Sequence, residues 1–432
     1  MISMKPLQKI FRSSLLRSAS VYTMGNVVNA SIPFLLMPVL TRYLSPEDYG
    51  YTAMFTLLIS LLSPFMGANA KTSLAVTYYK KEFDFPAYMM ACLWLLLATG
   101  FIMFVSVILF HRQIGKYTLF PLEWQLFVVL ACFLGYVSNV FQIIVRAKEQ
   151  AKLFVSFQLS YTFFNVGLAF ILVVFLHYNW QGQIMASVIS YVIFASIAFF
   201  LFCRWNLIKP IFRWDYVKHA TCFGIPLIPH VLSMQLITAS NRFFITNACG
   251  LYELGLFAVG SQIGMAIELL VSSFNNAYSP YLYKKLSSIT DTGKRKLVKQ
   301  TYMYVVAIIA VALAYSLFMP SFLSVFLGER FRDASKYVFC FAIAGAAHGI
   351  YYMVVNYIIF QYKTKYLMMV TSACSILHVV VAYIAIQEYG AMGAAIAMVI
   401  TNVLMAGATW WLSSRVYAMP WLNFHFVERK SH

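Results

Sequence analysis

Long apolar segments dominate the sequence, and they constrain the fold more than any other feature. The chain is 61% hydrophobic and only 11% charged, whereas soluble domains carry about 25% charged residues. An apolar helix of about 20 residues crosses the hydrocarbon core of a bilayer, so the pattern predicts an all-α polytopic membrane protein. Twelve such spans are predicted near residues 19–40, 51–79, 87–110, 124–145, 153–176, 183–203, 221–248, 254–278, 301–326, 337–360, 366–386 and 391–413.

The Lys and Arg residues indicate how these spans are oriented. If the N-terminus is cytoplasmic, two basic residues lie within spans, Lys71 and Arg242, and most of the others lie in inner segments. Because short cytoplasmic loops are enriched in Lys and Arg, both termini are predicted to be cytoplasmic. The net charge of +18 therefore reflects membrane topology, and no nucleic-acid partner is expected. Only six of the 32 basic residues fall in outer segments, namely Arg42, Arg112, Lys116, Arg330, Arg332 and Lys336.

The second half of the chain resembles the first. Asp48-Tyr49-Gly50-Tyr51 and the span that follows are similar to Glu253-Leu254-Gly255-Leu256 and its own following span, at an offset of about 205 residues. An even number of spans per copy makes the repeat parallel, with a pseudo-twofold axis along the membrane normal. A substrate cleft is expected between the lobes, lined by spans 1, 2, 7 and 8. The predicted domains are an N-terminal six-helix lobe (1–203), a cytoplasmic linker (204–218) and a C-terminal six-helix lobe (219–432).

Charged residues within the spans are candidates for function, because a charge at bilayer depth is costly unless it faces protein or water. Glu268 is the only acidic residue deep in a predicted span, which makes it the candidate for coupling to H⁺ or Na⁺. Its alternative role is a structural ion pair with Lys71 or Arg242. Lys71 could instead extend to the headgroups, and Arg242 could be an interfacial residue near the outer end of its helix.

Motifs typical of catalytic and metal sites are missing from the sequence. It has no HExxH, GxSxG or Walker A motif, and its seven cysteines lack metal-binding spacing. We therefore predict no enzyme, no resident cofactor and no metal site. His230, His348 and His378 fall within spans, and a lone intramembrane histidine is expected to be a hydrogen-bonded packing residue rather than a proton relay.

Four short motifs are spread over most of the chain: Arg42-Tyr43-Leu44-Ser45-Pro46-Glu47-Asp48-Tyr49-Gly50, Pro226-Leu227-Ile228-Pro229-His230, Ser279-Pro280-Tyr281, and the segment from Leu327-Gly328-Glu329 to Ala334. As a set they resemble the Wzx-type O-antigen flippases of the polysaccharide transporter family, within the MOP (MATE-like) superfamily. That family commonly has Asp-Arg where this chain has Asn241-Arg242. The resemblance implies a MATE-like fold of two six-helix lobes.

The resemblance also implies a function in lipopolysaccharide biosynthesis at the bacterial inner membrane. The expected substrate is an undecaprenyl-diphosphate-linked oligosaccharide, such as an O-antigen repeat unit, moved from the cytoplasmic to the periplasmic leaflet by alternating access. Membrane lipids and other polysaccharide-assembly membrane proteins are the further expected partners. Lys71 and Arg242 would bind diphosphate or acidic sugar, and Glu268 would couple an ion gradient. The cleft would be lined by Asn26, Asn29, Gln235 and Asn275.

Two other functions remain open at this point. A MATE-like exporter of small organic cations would use Glu268 as the partner of the cation. A polysaccharide polymerase or ligase would need a sizeable periplasmic loop, whereas the longest predicted outer connection runs only from His111 to Glu123.

Overall fold

The computed structural model describes residues 14–80, 82–287, 289–361 and 363–421. These residues are almost entirely helical, which confirms the all-α prediction. Short 3-10 helices lie at Met66–Asn69 and Glu329–Ala334, and a π-helical turn lies at Ile171–Phe175. The α-helices are α1 (Ser14–Tyr43), α2 (Pro46–Leu62), α3 (Lys71–Lys80), α4 (Phe85–Thr118), α5 (Leu122–Ala147), α6 (Ala151–Phe170), α7 (Trp180–Arg204), α8 (Trp214–Gly224), α9 (Leu227–Gly264), α10 (Ala266–Leu286), α11 (Asp291–Phe326), α12 (Ser335–Phe360), α13 (Thr364–Tyr389) and α14 (Ala391–Val416).

Many of these helices are long and apolar enough to cross a membrane. Among the described residues there are nine such segments, or ten if the bent pair Pro46–Leu62 and Met66–Tyr79 is one span. One of them, Gln235–Leu286, has 52 residues and is long enough for two crossings, since one crossing requires about 20 residues. No segment of α1 within the described residues is among these nine, and its part Phe34–Tyr43 is a shorter apolar helix. The chain is a multi-pass membrane protein, and the number of twelve spans stays a prediction.

The helices form two compact units. The first contains the described residues up to Gly255 together with Leu327–Arg330, and the second contains Leu256–Phe326 and the described residues from Phe331 onward. The region predicted as a linker is partly helical, because α8 begins at Trp214 and packs on α3 and α4 within the first unit. The predicted lobe limits of 203 and 219 stay predictions.

The Arg42–Gly50 motif forms the start of α2. Ser45 is the N-cap residue: its hydroxyl accepts a hydrogen bond from the Asp48 N–H (3.1 Å), and the Asp48 carboxylate accepts one from the Ser45 N–H (2.8 Å). This reciprocal capping box satisfies backbone donors that the first turn of a helix leaves free. The other Asp48 oxygen accepts from the backbone N–H of Trp180 (3.4 Å). The motif thus joins the starts of α2 and α7.

The repeated glycines Gly50 and Gly255 pack against each other's segments within the first unit. A Cβ atom on Gly50 would lie 2.1 Å from the Leu251 carbonyl oxygen, and one on Gly255 would lie 1.6 Å from the Pro46 carbonyl oxygen. Neither position has room for a side chain, so the two backbone segments approach as closely as glycine permits. Reciprocal contacts of this kind are consistent with a duplicated chain.

Predicted span 2 is broken between α2 and α3, which are bent by 59° relative to each other. Gly67, Ala68 and Asn69 have φ values of 58°, 50° and 55°, in the left-handed region that is uncommon for residues other than glycine. The Gly67 N–H donates to the Thr99 hydroxyl on α4 (2.7 Å). Gly224 lets α8 approach the same segment, since a Cβ there would lie 2.1 Å from the Ala68 carbonyl oxygen. Surrounding helices therefore enclose this irregular backbone, as membrane depth requires.

In the second unit, α12 packs closely on α9 and α10 through two Gly-x-x-x-Gly pairs. Gly260 and Gly264 lie on α9, and Gly345 and Gly349 lie on α12. A Cβ atom on Gly264 would lie only 2.3 Å from the Cβ atom of Phe341. Small residues at this spacing let membrane helices approach each other closely.

Helix α9 is kinked at Gly250 (φ 83°, ψ 179°). A one-residue interruption at Met265, where ψ is −1°, separates α9 from α10. The Tyr315 hydroxyl of α11 donates to the Ile263 carbonyl oxygen beside the break (2.8 Å). Helix α10 begins again at Ala266 and places Glu268 in its first turn, where the helix dipole favours a negative charge.

Candidate functional site

Arg242 lies on α9 in the first unit and is held by α2. Its Nη1 donates to the Ala53 carbonyl oxygen and to the Thr56 hydroxyl, both at 2.8 Å. The described residues provide no carboxylate partner for Arg242 and no acceptor for its Nε and Nη2 atoms. The guanidinium is therefore fixed in position while several of its N–H groups remain for an anionic ligand or water.

Lys71 is the first residue of α3, directly after the break in span 2. Its Nζ lies 5.7 Å from the centroid of the Tyr136 ring, a cation–π contact. In the part of the chain that the structure describes, no carboxylate lies within ion-pair distance of it. Two buried polar atoms of its surroundings, Nδ2 of Asn69 and the hydroxyl of Tyr136, also lack a hydrogen-bond partner. Buried polar groups are usually satisfied, so this region has unused capacity to bind water or a polar ligand.

The amides predicted on spans 1 and 7 differ in their surroundings. The Asn29 side-chain oxygen accepts a hydrogen bond from the Thr162 hydroxyl of α6, which ties α1 to α6. Gln235 on α9 is half-buried, and the described residues give it no hydrogen-bond partner. The side chain of Asn26 lies outside the described part of the structure. Asn29 thus has a packing contact, whereas Gln235 keeps its amide available.

Glu268 is paired with His348 of α12 in the second unit. Nδ1 of His348 lies 3.0 Å from one carboxylate oxygen, and the Tyr352 hydroxyl donates to the other at 3.4 Å. The side chains of Glu268 and His348 are 23% and 30% exposed, so the pair is partly enclosed but not sealed from its surroundings. From the sequence, the expected partner of this carboxylate was Lys71 or Arg242, and His348 was expected to be only a packing residue.

Close helix packing brings the pair together. A Cβ atom on Gly345 would lie 3.2 Å from the Glu268 backbone nitrogen, so α12 runs directly against the first turn of α10. His348 follows Gly345 by about one turn. Its ring stacks on Tyr352, with centroids 4.6 Å apart and an interplanar angle of 17°. This stacking aims Nδ1 at the carboxylate.

Asn275, two turns further along α10, belongs to a second polar contact with α12. Its side-chain oxygen accepts from Nδ2 of Asn356 (2.8 Å), and the Asn356 oxygen accepts from the Tyr283 hydroxyl (2.9 Å). Asn356 is only 2% exposed. The structure therefore gives Asn275 a packing contact, and its predicted role in binding substrate stays a prediction.

The other intramembrane histidines differ from His348. His378 is fully buried, and its Nδ1 lies 2.9 Å from the Thr401 hydroxyl, which is the packing contact expected from the sequence. The side chain of His230 lies outside the described residues. His348 is thus the histidine with a carboxylate partner in the described part of the chain.

Each unit offers one kind of chemistry. The first holds two cations, Lys71 and Arg242, for which the described residues provide no carboxylate partner. The second holds a carboxylate that contacts an imidazole and a tyrosine hydroxyl. No group of three His, Cys, Asp or Glu side chains within the described ranges could hold a metal ion. The roles predicted for Lys71, Arg242 and Glu268 stay predictions, but their surroundings are of the required kind.

Two polar residues of α12, Tyr352 and Asn356, were not selected from the sequence, and His348 of the same helix was expected only to be a packing residue. They recur at intervals of four, which places them on one face of the helix. Gly345 and Gly349 on the same helix were a further visible signal of close packing. However, no local sequence pattern connects α12 with Glu268, which precedes His348 by 80 positions.

Comparisons with known proteins agree with this description. A family model described as polysaccharide biosynthesis protein matches residues 15–285. A protein of the Lsg locus of Haemophilus influenzae is 25% identical over 390 residues, covering 86% of this chain and 89% of the relative. Capsular polysaccharide biosynthesis protein CapF of Staphylococcus aureus is 22% identical over 409 residues, covering 91% and 98%.

Solved structures of MATE family transporters of the MOP superfamily share the fold. One in an inward-facing conformation superimposes with a TM-score of 0.69 at 17% sequence identity, covering 89% of this chain and 94% of the transporter. Another in an outward-facing conformation gives a TM-score of 0.60 at 16% identity, covering 93% and 95%. The predicted MATE-like fold is therefore confirmed.

Proposed function

Because this chain belongs to the polysaccharide biosynthesis protein family and has a MATE-like fold, we propose that it is a lipid-linked oligosaccharide flippase. Family and fold together support a membrane transporter rather than an enzyme. The proposed substrate is an undecaprenyl-diphosphate-linked oligosaccharide, moved from the cytoplasmic to the periplasmic leaflet of a bacterial inner membrane. We further propose that both chain termini are cytoplasmic, which the distribution of Lys and Arg supports.

The observation that carries this proposal is the presence of two intramembrane cations without a carboxylate partner, Arg242 and Lys71. An unpaired charge at membrane depth is costly and is retained where it faces a ligand, protein or water. A diphosphate provides the acceptors that Nε and Nη2 of Arg242 lack, and Arg binds phosphate oxygens in a bidentate manner. Lys71 contributes a point charge beside unsatisfied polar atoms. Sugar hydroxyls suit the amide of Gln235.

The head group requires this environment, whereas the lipid tail does not. Sugars and diphosphate cannot enter hydrocarbon without losing their hydrogen bonds to water, at a cost of several kcal/mol per polar group. The polyisoprenoid tail can stay in the bilayer throughout. The protein therefore has to enclose only the polar head group, and alternating access would move that group between leaflets. We propose that Glu268 couples this movement to an ion gradient.

The test compares two substitutions with a matched control in a strain that lacks the chromosomal gene. Arg242→Ala and Lys71→Ala remove the proposed phosphate contacts, and Arg112→Ala removes an equal charge at an exposed position of α4. Hydrogen bonds to charged groups contribute about 1.5–3 kcal/mol, which corresponds to a loss of about 10- to 100-fold in export rate. The measurement is polysaccharide on the cell surface, normalised to the amount of protein in the membrane.

Two results would contradict the proposal. Export at the wild-type rate by both Arg242→Ala and Lys71→Ala would exclude the phosphate contacts. A null strain that does not accumulate lipid-linked repeat units on the cytoplasmic side would exclude the flippase function itself. Arg112→Ala is expected to export normally.

A MATE-like exporter of organic cations is the second candidate, because the two transporters that share the fold are multidrug resistance transporters. Resistance to cationic dyes on expression, without any change in surface polysaccharide, would favour it. The unpaired cations of the first unit favour an anionic substrate.

A further inference from the structure

The Glu268–His348 pair has the geometry of a shared proton site. A distance of 3.0 Å between Nδ1 and the carboxylate oxygen is that of a charge-assisted hydrogen bond. Tyr352 covers one face of the imidazole, and the Tyr351 ring lies 5.2 Å from it. Nδ1 therefore serves as the donor to the carboxylate, which leaves Nε2 as the ring atom that accepts an additional proton.

Each helix packed around the pair presents a limited set of titratable groups. Helix α10 presents Glu268, α12 presents His348 with Tyr351 and Tyr352, and α11 presents Tyr304, whose hydroxyl would lie 2.9 Å from a Cβ atom on Gly349. Tyrosine hydroxyls ordinarily lose their protons near pH 10. The carboxylate and the imidazole are therefore the acid–base groups of this cluster other than the tyrosines, and His348 is the titratable group that contacts Glu268 at 3.0 Å.

The donor set favours a proton over a sodium ion. Hard cations are bound by several oxygen ligands, whereas imidazole nitrogen suits softer metals. Here one carboxylate oxygen faces Nδ1 of His348 and the other faces the Tyr352 hydroxyl. No second carboxylate joins them in the described ranges, where no three acidic, His or Cys side chains converge.

We propose that Glu268 and His348 together form the proton-binding site of the second unit, with His348 as the residue that takes up the proton. This inference rests on the proposed ion-coupled transport and names its ion. With neutral His348 donating from Nδ1, the pair carries one negative charge. A proton from water binds Nε2, and the pair becomes a carboxylate–imidazolium pair without net charge.

Neutralisation has a structural consequence because the pair joins two helices next to a break. A net charge at membrane depth is costly, so the unprotonated pair favours contact with water and the protonated pair tolerates enclosure. The bond also connects α12 to the first turn of α10, directly after the break at Met265. Proton binding would therefore strengthen the link between α12 and the first turn of α10.

Infrared difference spectroscopy of the purified protein between about pH 8 and pH 5 tests the site without any oligosaccharide. The wild type is expected to show an imidazole-to-imidazolium change coupled to a frequency shift of the carboxylate band. His348→Gln is expected to lose both, and Glu268→Gln is expected to lose the carboxylate band and move the imidazolium band. His378→Gln is the matched control and should give the wild-type spectrum, because that histidine is buried against Thr401.

A sodium titration at fixed pH completes the experiment, with choline as the control cation. No sodium-dependent shift of the carboxylate band is expected, and such a shift would overturn the proton assignment. A wild-type spectrum from His348→Gln would overturn the pair itself. If a charge-removing variant does not fold, Tyr352→Phe replaces it, since this change removes only the 3.4 Å hydrogen bond. It should shift the carboxylate band, and an unchanged band would contradict the proposal.

The outcomes separate this inference from the flippase function. Intact coupled spectra in a protein that exports no polysaccharide would count against the flippase alone. Normal export by both Glu268→Gln and His348→Gln would count against proton coupling alone.

Discussion

Gly264 is the position at which packing, the helix break and the proton site can be perturbed together. Alanine at 264 would place a Cβ atom 2.3 Å from the Cβ atom of Phe341 and 3.3 Å from the Val338 carbonyl oxygen. Carbon atoms pack at about 3.5–4.0 Å, so α9 and α12 would have to separate by about 1 Å or more. A Cβ atom cannot rotate away, and therefore the backbone of one helix has to move.

The expected cost follows from two opposing effects. Overpacking costs about 1–3 kcal/mol, and the absence of a flexible side chain at the contact places this change near the upper end. Replacing glycine by alanine within a helix stabilises the helix by about 1 kcal/mol. The net destabilisation of Gly264→Ala is thus about 2 kcal/mol. Separation of the helices would also stretch the 3.0 Å Glu268–His348 contact beyond hydrogen-bond distance.

Gly407→Ala is the matched control, because nothing lies within 4 Å of a Cβ atom built on this glycine of α14. This control should be stabilised by the higher helix propensity of alanine alone. The free energies of unfolding of the two alanine variants are therefore expected to differ by about 3 kcal/mol. The assay is thermal unfolding of the detergent-solubilised protein, followed by tyrosine and tryptophan fluorescence. An unfolding midpoint for Gly264→Ala equal to or above that of Gly407→Ala would refute the packing argument.

Two further substitutions test contacts that the structure assigns to stability. Asp48→Ala removes the capping box and should lower the free energy of unfolding by about 1 kcal/mol. The control Glu47→Ala, at the exposed neighbouring position, should change that free energy by less than about 0.5 kcal/mol. Equal effects of the two substitutions would show that the cap is not the cause. Asn356→Leu leaves the Asn275 amide without its partner in a buried site, and should lower the free energy of unfolding by about 1–3 kcal/mol. The control Asn402→Leu removes a hydrogen bond to a carbonyl of its own helix and should lower this free energy less in the same unfolding assay.

The sequence predicted the apolar spans well because a bilayer imposes one requirement on every one of them. A spanning segment must satisfy its backbone internally and present apolar side chains to lipid, so length and composition suffice to recognise it. Helix α8 was missed for the converse reason. Its sequence from Trp214 to Gly224 is short and carries several polar residues, and it reads as a connection although it packs on α3 and α4.

Pro64 and Gly67 are local signals of the first break, but the backbone conformations at the interruptions could not be predicted from local sequence. At the first one, Ala68 and Asn69 adopt left-handed backbone conformations although alanine has no preference for them. Tertiary contacts from Thr99 and Gly224 stabilise this segment, and such contacts have no signature within the span itself. At Met265, the neighbouring Gly260–Gly264 pair was visible, but a Gly-x-x-x-Gly pair in a membrane helix indicates close packing rather than an interruption of the helix.

The site residues likewise include some that the sequence could identify and others that it could not. Glu268 and Arg242 could be selected from the sequence because charge is rare in a membrane, and rarity alone is a signal. Their partners could not be selected, since a partner is defined by which helix faces which. Asn29 and Asn275 illustrate the limit: both were chosen as polar residues in spans, and both are hydrogen-bonded to neighbouring helices.

The duplication predicted from the sequence would account for an interrupted helix in each unit, although the residues at the two interruptions differ in chemistry. At the offset of 205 residues, Met265 corresponds to Ser60, about one turn before the break that ends at Ala70. Each break begins a new helix that carries a charge in its first turn, Lys71 in one unit and Glu268 in the other. A cation at a helix N-terminus opposes the helix dipole, whereas a carboxylate there is favoured by it. Lys71 is thus in the less favourable electrostatic position, which is the expected situation for a residue that an anionic ligand stabilises, and Glu268 has its compensation within the protein, from the dipole and from His348.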